Sequence, residues 1–360
     1  MERDLKDRED RVERMKVKLA ECSLGLEACG GFQQDDKENC SAAAPPDRSK
    51  PVRTLAEISA LKAVKPNDTP SDLILDESTM DQTDSSRSAE PGWEVYTSPE
   101  QPPKPAPLDS ATDPVTSEKM ILKVQKPANP WEFYINTCLD ARLQPAQRHL
   151  FSSIRSAHLF HNGSVLLAEL HNYGTLLNVV NIYRTLSERV VPPPLALYFA
   201  VCILHTVEQL HAVQVVHADI KPDNFMLGQR FLENECFDSE SVDHGLVLID
   251  LGQSIDMQMF PDGTAFTATC LTSGFQCTEM LSGKPWNYQT DYFGIAGTVF
   301  CLLFGTYMQV SNQDGVWRTN ETFRRNPHGE LWLEFFHTLL NVPDCRSLPS
   351  LRTLRWKLTD

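Results

Sequence analysis

The stretch His217-Ala218-Asp219-Ile220-Lys221-Pro222-Asp223-Asn224, followed downstream by Asp250-Leu251-Gly252, decides how the rest of this chain is read. Phosphoryl transfer needs a carboxylate to accept the proton of an attacking hydroxyl and a lysine facing the moving phosphoryl group. It also needs an Asn and an Asp to hold magnesium. Asp219, Lys221 and Asn224 offer the first three groups within one short run, and Asp250 offers the fourth. Singly, Asp, Asn and Pro also make ordinary turns; their joint order and spacing are what point to chemistry.

Outward from this run, Val213-Gln214-Val215-Val216 and Leu246-Val247-Leu248-Ile249 read as short buried strands that deliver Asp219 and Asp250 to a cleft. Leu195 to Leu210, after the breaker Pro192-Pro193-Pro194, is apolar with helical periodicity, as are Ile295 to Phe304 and Leu331 to Leu340. Upstream, Met120-Ile121-Leu122-Lys123-Val124 and Ser164-Val165-Leu166-Leu167-Ala168-Glu169-Leu170 read as strands. Strands first and helices afterwards predict an α+β enzyme, with no internal repeat.

The chain has 360 residues and a net charge of −15, which argues against a general nucleic-acid binder because no basic field displaces phosphate counterions. Ten cysteines, none in a CxxC pair, read as reduced thiols and not as a disulfide framework. The start, Met1-Glu2-Arg3-Asp4-Leu5-Lys6-Asp7, is too charged for a signal peptide, and no apolar run was expected to reach the length of a membrane span. Both observations predict a cytosolic or nuclear protein. Residues 1–20 interleave opposite charges at helical spacing, with apolar positions, Leu19 among them, too sparse for a core. Residues 41–114 hold 12 of the 24 prolines and cannot offset their ordering entropy. Residues 1–115 are therefore expected to be disordered apart from a short N-terminal helix, and residues 116–355 to fold.

Further candidates flank the central run. Lys123 lies in an alternating strand from which it can reach nucleotide phosphates, although Gln125-Lys126-Pro127 also fits a solvent-exposed basic edge. Glu132 can pair with it from a helix opened by Pro130. Glu279 and Asp291 are candidate anchors of a loop through an arginine and backbone N–H groups. Between Asp250 and Glu279, Thr264, Thr267, Thr269, Thr272 and Ser273 mark a substrate-facing segment. The acidic loop Glu233 to Asp243 reads as a solvated insertion.

These residues resemble the eukaryotic protein kinases, and within them the Bub mitotic-checkpoint serine/threonine kinase family. The resemblance rests on Leu122 to Tyr134, Asp219 to Phe225, Leu248 to Asp256 and Lys284-Pro285-Trp286-Asn287-Tyr288-Gln289, and it covers about residues 115–355. It implies a bilobal fold, with a partial small lobe at 116–172 and a mostly helical large lobe at 173–355. It also implies ATP with magnesium as cofactors, a histone-tail threonine as substrate, and work at kinetochores in the nucleus, with a cytoplasmic pool. By the same resemblance Asp219 is the catalytic base, Lys221 the catalytic-loop lysine, and Asn224 and Asp250 the metal ligands. Lys123 and Glu132 form the small-lobe ion pair; Glu169, Leu170 and His171 form the adenine-binding hinge, with Ala168 near the gatekeeper position; Glu279 closes the activation segment. Lys37-Glu38-Asn39 resembles a KEN degron read by the anaphase-promoting complex.

Three departures qualify the expectation. Ala218 replaces the arginine that usually meets activation-loop phosphate, which predicts activity without that switch. Leu251 replaces the phenylalanine of the metal triplet. No Gly-x-Gly-x-x-Gly precedes Lys123, and the Pro-rich run Pro99 to Pro107 cannot supply the strands of such a hairpin. The chain thus reads as a fragment, splice product or gene-model join. The rival functions are a pseudokinase or kinetochore scaffold and, more remotely, a small-molecule phosphotransferase. No direct contact with nucleic acid or membrane is expected.

Overall fold

The computed structural model describes residues 18–19, 109–112, 119–171, 173–186, 189–228, 230–231, 244–269, 276–323 and 328–359. All of these fall in one unit, Met1–Gln34 with Lys104–Asp360. The degron candidate Lys37-Glu38-Asn39, the acidic loop and Thr272 and Ser273 lie outside the described residues.

The first layer is an antiparallel sheet of four strands: β1 (Asp109–Thr112), β2 (Lys119–Gln125), β3 (Ile154–Phe160) and β4 (Gly163–Glu169), in the order β1-β2-β4-β3. Helix α1 (Trp131–Arg142) leaves β2 after the N-cap Pro130 and carries Glu132 in its first turn. Register sets Lys123 opposite Leu166 and Ile121 opposite Ala168. The lysine strand therefore lies beside the strand that leads into the expected hinge.

The second layer is helical. Helix α2 (Leu176–Thr185) opens on a capping box, Thr175 Oγ1 accepting from Asn178 N–H and the Asn178 side chain accepting from Thr175 N–H. Helix α3 (Pro193–Ala212) is the buried centre, followed by the single turn α4 (Thr278–Leu281), α5 (Gln289–Phe304), α6 (Gly329–Leu340) and α7 (Leu351–Thr359). Helix α5 stops at Gly305, whose φ of 69° is the left-handed cap that glycine adopts without Cβ strain. Side chains from α2, α3, α5, α6 and α7 share one apolar core that includes Phe199, Phe300, Trp332 and Phe335.

Several expectations need correction. The stretch read as unstructured contains β1, which begins only after Pro107, where every residue again has an N–H for the ladder. Leu19, read as too isolated to be buried, is 1% exposed and joins the core. Helix α3 is long and apolar enough to cross a membrane, contrary to the expectation that no run was; most of it is buried inside the large lobe, as a core helix is. The strand β3 and the hairpin β9 (Val310–Gln313) with β10 (Val316–Thr319) were not foreseen. The hairpin turn has a clear signal in hindsight, since Asp314 and Gly315 both have positive φ, 53° and 86°.

Candidate active site

Two small antiparallel ribbons build the floor of the cleft. Strand β5 (Val215–Val216) pairs with β8 (Ile255–Asp256), and β6 (Phe225–Leu227) with β7 (Leu246–Leu248). Residues 217–224 join β5 to β6 and residues 249–254 join β7 to β8, so the two polar runs lie side by side. Ile249 N–H donates to the Asn224 carbonyl at 2.9 Å.

Asp291, fully buried on α5, holds the start of the 217–224 run. Its Oδ2 accepts the His217 N–H and its Oδ1 the Ala218 N–H, both at 2.8 Å, while His211 Nε2 lies 2.8 Å from Oδ2. The partners of this carboxylate are backbone N–H groups and a histidine, where the sequence reading expected an arginine with backbone N–H groups. These bonds stabilise Ala218 at φ 63°, a left-handed conformation costly for a residue with a Cβ. The His217 ring accepts the Asp219 N–H at Nδ1 (3.2 Å), so Nε2 carries the proton toward the Ile249 carbonyl (3.0 Å). Asp250 is likewise left-handed, at φ 62°.

Lys221 Nζ donates to Asp219 Oδ2 at 2.7 Å, and Asn224 Nδ2 donates to the Asp219 carbonyl and to Oδ2, at 2.8 and 3.0 Å. Because Asn224 spends its amide N–H groups on Asp219, its carbonyl oxygen is the end left for a cation. Above the floor, Lys123 Nζ lies 2.7 Å from both Glu132 Oε2 and Asp250 Oδ1. The lysine is thus a bridge between helix α1 and the metal candidate, not a basic edge. Burial alone would lower its pKa, but the two carboxylates outweigh that and leave it raised. Asp250 goes the other way, below the usual carboxylate range, because Lys123 outweighs its burial. Burial pushes the Glu132 carboxyl up against the pull of Lys123.

At the rim, the Glu169 N–H donates to the Ser153 carbonyl at 3.0 Å, with Ala168 and Leu170 on either side. His171 Nε2 is buried without a hydrogen-bond partner, and desolvation lowers the ring's pKa. An orphaned polar atom at this rim fits a site that a polar ligand completes. Glu279 lies apart from the floor; its carboxylate accepts from Thr278 Oγ1 at 3.1 Å, and burial raises its pKa. The segment around Thr264 and Thr267 is tied to the large lobe by Phe266 and Trp286, which exchange backbone bonds of 2.7 and 2.9 Å. Trp286 Nε1 adds a bond to the Ala268 carbonyl at 2.8 Å. Sequence reasoning quoted Trp286 without this role, and it gave none to His217, His211, Arg142 or Asp256.

The donor set fits magnesium: the Asn224 carbonyl and the Asp250 carboxylate are hard oxygens. Among the described residues no group of three or more His, Cys, Asp or Glu side chains forms a metal cage. Magnesium is commonly held in this way, by one or two protein oxygens together with substrate phosphates.

A carboxylate held by a lysine and an asparagine, together with a lysine clamped between two carboxylates, is the arrangement of a protein kinase. Residues 148–331 match the family described as Protein kinase domain. The chain is 59% identical over 240 residues to mitotic checkpoint serine/threonine-protein kinase BUB1 of Mus musculus, covering 67% of this chain and 22% of the relative. It is 35% identical over 259 residues to the protein of the same name in Arabidopsis thaliana, covering 69% and 48%. The crystal structure of the BubR1 kinase domain superposes with a TM-score of 0.65 at 35% identity, covering 69% of this chain and 74% of that one. The chain belongs to the mitotic checkpoint serine/threonine kinases of the protein kinase family. It spans about a fifth to a half of the length of these curated relatives.

Proposed function

We propose that this chain transfers the γ-phosphate of ATP to serine or threonine hydroxyls of proteins, a histone-tail threonine among them. In this reading it works at kinetochores in the nucleus during chromosome segregation, with a cytoplasmic pool. The observation that carries the reading is the bonding of Asp219, which is oriented by Lys221 and Asn224 through Oδ2 and keeps Oδ1 for a substrate hydroxyl. Asp219 orients that hydroxyl and accepts its proton as its oxygen bonds to the γ-phosphorus and the bond from that phosphorus to the bridging oxygen breaks, releasing ADP. Lys221 offsets charge on the phosphoryl group, and Lys123 positions the nucleotide phosphates. Magnesium held by Asn224 and Asp250 supplies charge neutralisation at the phosphates when bound. Ala168, Glu169, Leu170 and His171 hold the adenine. Glu279 and Asp291 keep the activation segment and the catalytic run in place. Checkpoint proteins are the partners, and the anaphase-promoting complex reads Lys37-Glu38-Asn39.

Among the described residues only one strand, β1, precedes the lysine strand, and no glycine-rich motif lies there. That observation favours a second reading, an interaction platform with little turnover. The test is radiolabelled phosphate transfer to histone with magnesium-ATP, beside Asp219→Asn. Transfer lost in the variant, by about 10²–10⁴-fold, supports the enzyme; no transfer from the folded wild-type chain leaves the platform.

A further inference from the structure

Helix α1 touches more than Lys123. Its residues 131, 134, 138 and 142 lie on one face, spaced by three or four as one helix stripe requires. All four reach the segment just beyond Asp250. Trp131 Nε1 donates to the Ser254 carbonyl at 2.7 Å, and Tyr134 Oη donates to Asp256 Oδ2 at 2.8 Å. Cys138 Sγ lies 3.7 Å from the same oxygen. Arg142 closes a two-pronged pair, Nη1 to Oδ1 and Nη2 to Oδ2 of Asp256, both at 2.7 Å. The Gln258 N–H adds a bond of 3.1 Å to Oδ1. Asp256 is 1% exposed, so each of its oxygens is matched inside protein.

The same residue belongs to the floor. Asp256 pairs with Val215 across the β5–β8 ribbon, and the Met257 N–H donates to the Gln214 carbonyl at 2.9 Å, two residues before β5 ends at the catalytic run. Arg142 Nη1 also reaches the Val213 carbonyl at 3.3 Å. One buried carboxylate thus joins the helix that carries Glu132, the strand that follows Asp250 and the strand that leads to Asp219.

We infer that Asp256, with Arg142 and Tyr134, is a positioning residue that locks α1 inward and so keeps Glu132 on Lys123 without activation-segment phosphate. In many kinases α1's counterpart is placed by phosphate on that segment, through the arginine position that Ala218 occupies here. A lock made of residues always present replaces a switch that must be added. Burial would raise the Asp256 carboxyl, yet Arg142, Tyr134 and Gln258 hold it below its usual range, as a permanently charged node requires.

The inference rests on the kinase reading for its activity readout, but amide exchange tests it independently. The experiment compares the phosphatase-treated wild-type chain with Asp256→Asn, Arg142→Met, Arg142→Lys and Tyr134→Phe. For each, thermal unfolding, amide exchange over residues 131–142, and kcat and KM for ATP are measured. The expected result is faster exchange in α1, with kcat/KM for ATP falling about 10- to 100-fold in Arg142→Met and recovering partly in Arg142→Lys. The KM for the protein substrate should stay near wild type. If Asp256→Asn fails to fold, Tyr134→Phe and Arg142→Lys carry the comparison. Folded variants with wild-type exchange in α1 and unchanged kcat/KM would overturn the lock. A wild-type chain that transfers nothing while the variants still loosen α1 would overturn the kinase reading and leave the lock standing.

Discussion

The floor and the roof of the cleft are held by different means. On the floor, a carboxylate with no exposure, Asp291, fixes two backbone N–H groups and a histidine, and Asp219 is in turn clamped by Lys221 and Asn224. In the roof, Lys123 is held by ion pairs with buried Glu132 and with Asp250, and the lysine and Asp250 side chains are 28% and 43% exposed. The Asp291 anchor is closed to water, so its bonds are not exchanged for solvent. Ion pairs open to solvent are weak and exchangeable. In the proposed reading, an incoming triphosphate takes Lys123 from Asp250 and leaves Asp250 to a cation, whereas the buried Asp291 anchor stays as it is. The floor is pre-organised, whereas the roof is adjustable.

The sharpest way to break that contrast is Asp291→Ala. It strands the buried His217 N–H, the part-buried Ala218 N–H and His211, and the loss expected is about 3–5 kcal/mol of stability in urea unfolding. A loss below about 1 kcal/mol would show that the floor does not depend on this anchor. Lys123→Met addresses the roof. Transfer should fall about 10²–10³-fold, while the unfolding midpoint moves less than in Asp291→Ala, because Lys123 and Asp250 are partly open to solvent. Destabilisation equal to that of Asp291→Ala would erase the distinction.

Gly294→Ala is a smaller perturbation of the floor. A Cβ there would stand 2.5 Å from Ile220 Cβ and 2.6 Å from the Ile220 carbonyl oxygen, inside contact distance. Ile220 lies between Asp219 and Lys221 and must move. Overpacking of this kind costs about 1–3 kcal/mol, and turnover should drop while nucleotide affinity, set in the roof, stays near wild type. Equal losses in both would mean that the two walls move together.

The contrast also accounts for what could be read beforehand. The floor was legible because its chemistry is local: Asp219, Lys221 and Asn224 fall within six residues, and the strands beside them are apolar runs. Helices α3, α5 and α6 were legible from continuous apolar periodicity. The roof was harder to read. Strand β3, Ile154-Arg155-Ser156-Ala157-His158-Leu159-Phe160, is half exposed and lacks alternation, and Leu159 and Phe160 face solvent. Strand β1 has four residues, DSAT, with no apolar pattern, and exists by pairing with β2. Arg142 and Asp256 meet across 114 positions of sequence. Trp131-Glu132-Phe133-Tyr134 and Ser254-Ile255-Asp256 were visible as words, but tertiary contact alone makes them one device.

The smallest effect separates the walls by pH. His244 lies two residues before β7, whose far end leads to Asp250; it is buried, and its Nδ1 accepts the Leu246 N–H at 3.1 Å. Burial first, then the neighbouring His205, His149 and Arg355, hold its pKa well below the ordinary histidine value. The unfolded chain takes up this proton near pH 6.5 while the folded chain does not, so the unfolded state binds more protons as pH falls. Stability should therefore be full above about pH 6.5 and decline below it, with a limiting slope of about 1.4 kcal/mol per pH unit for one proton. Lys123, raised by its carboxylates, changes its contribution only in the alkaline range and is silent here. Asp256, held low, loses its contribution only below about pH 4. Glu132 acts in the opposite sense, since its raised carboxyl makes folding less favourable as pH climbs above about 4.3. Urea unfolding of wild type and His244→Gln from pH 7.5 to 5.5 isolates the histidine, because the variant removes its share of the slope and leaves Glu132 and His171, whose ring is also lowered by burial, in place. Parallel curves for the two proteins would place the acid response outside the floor.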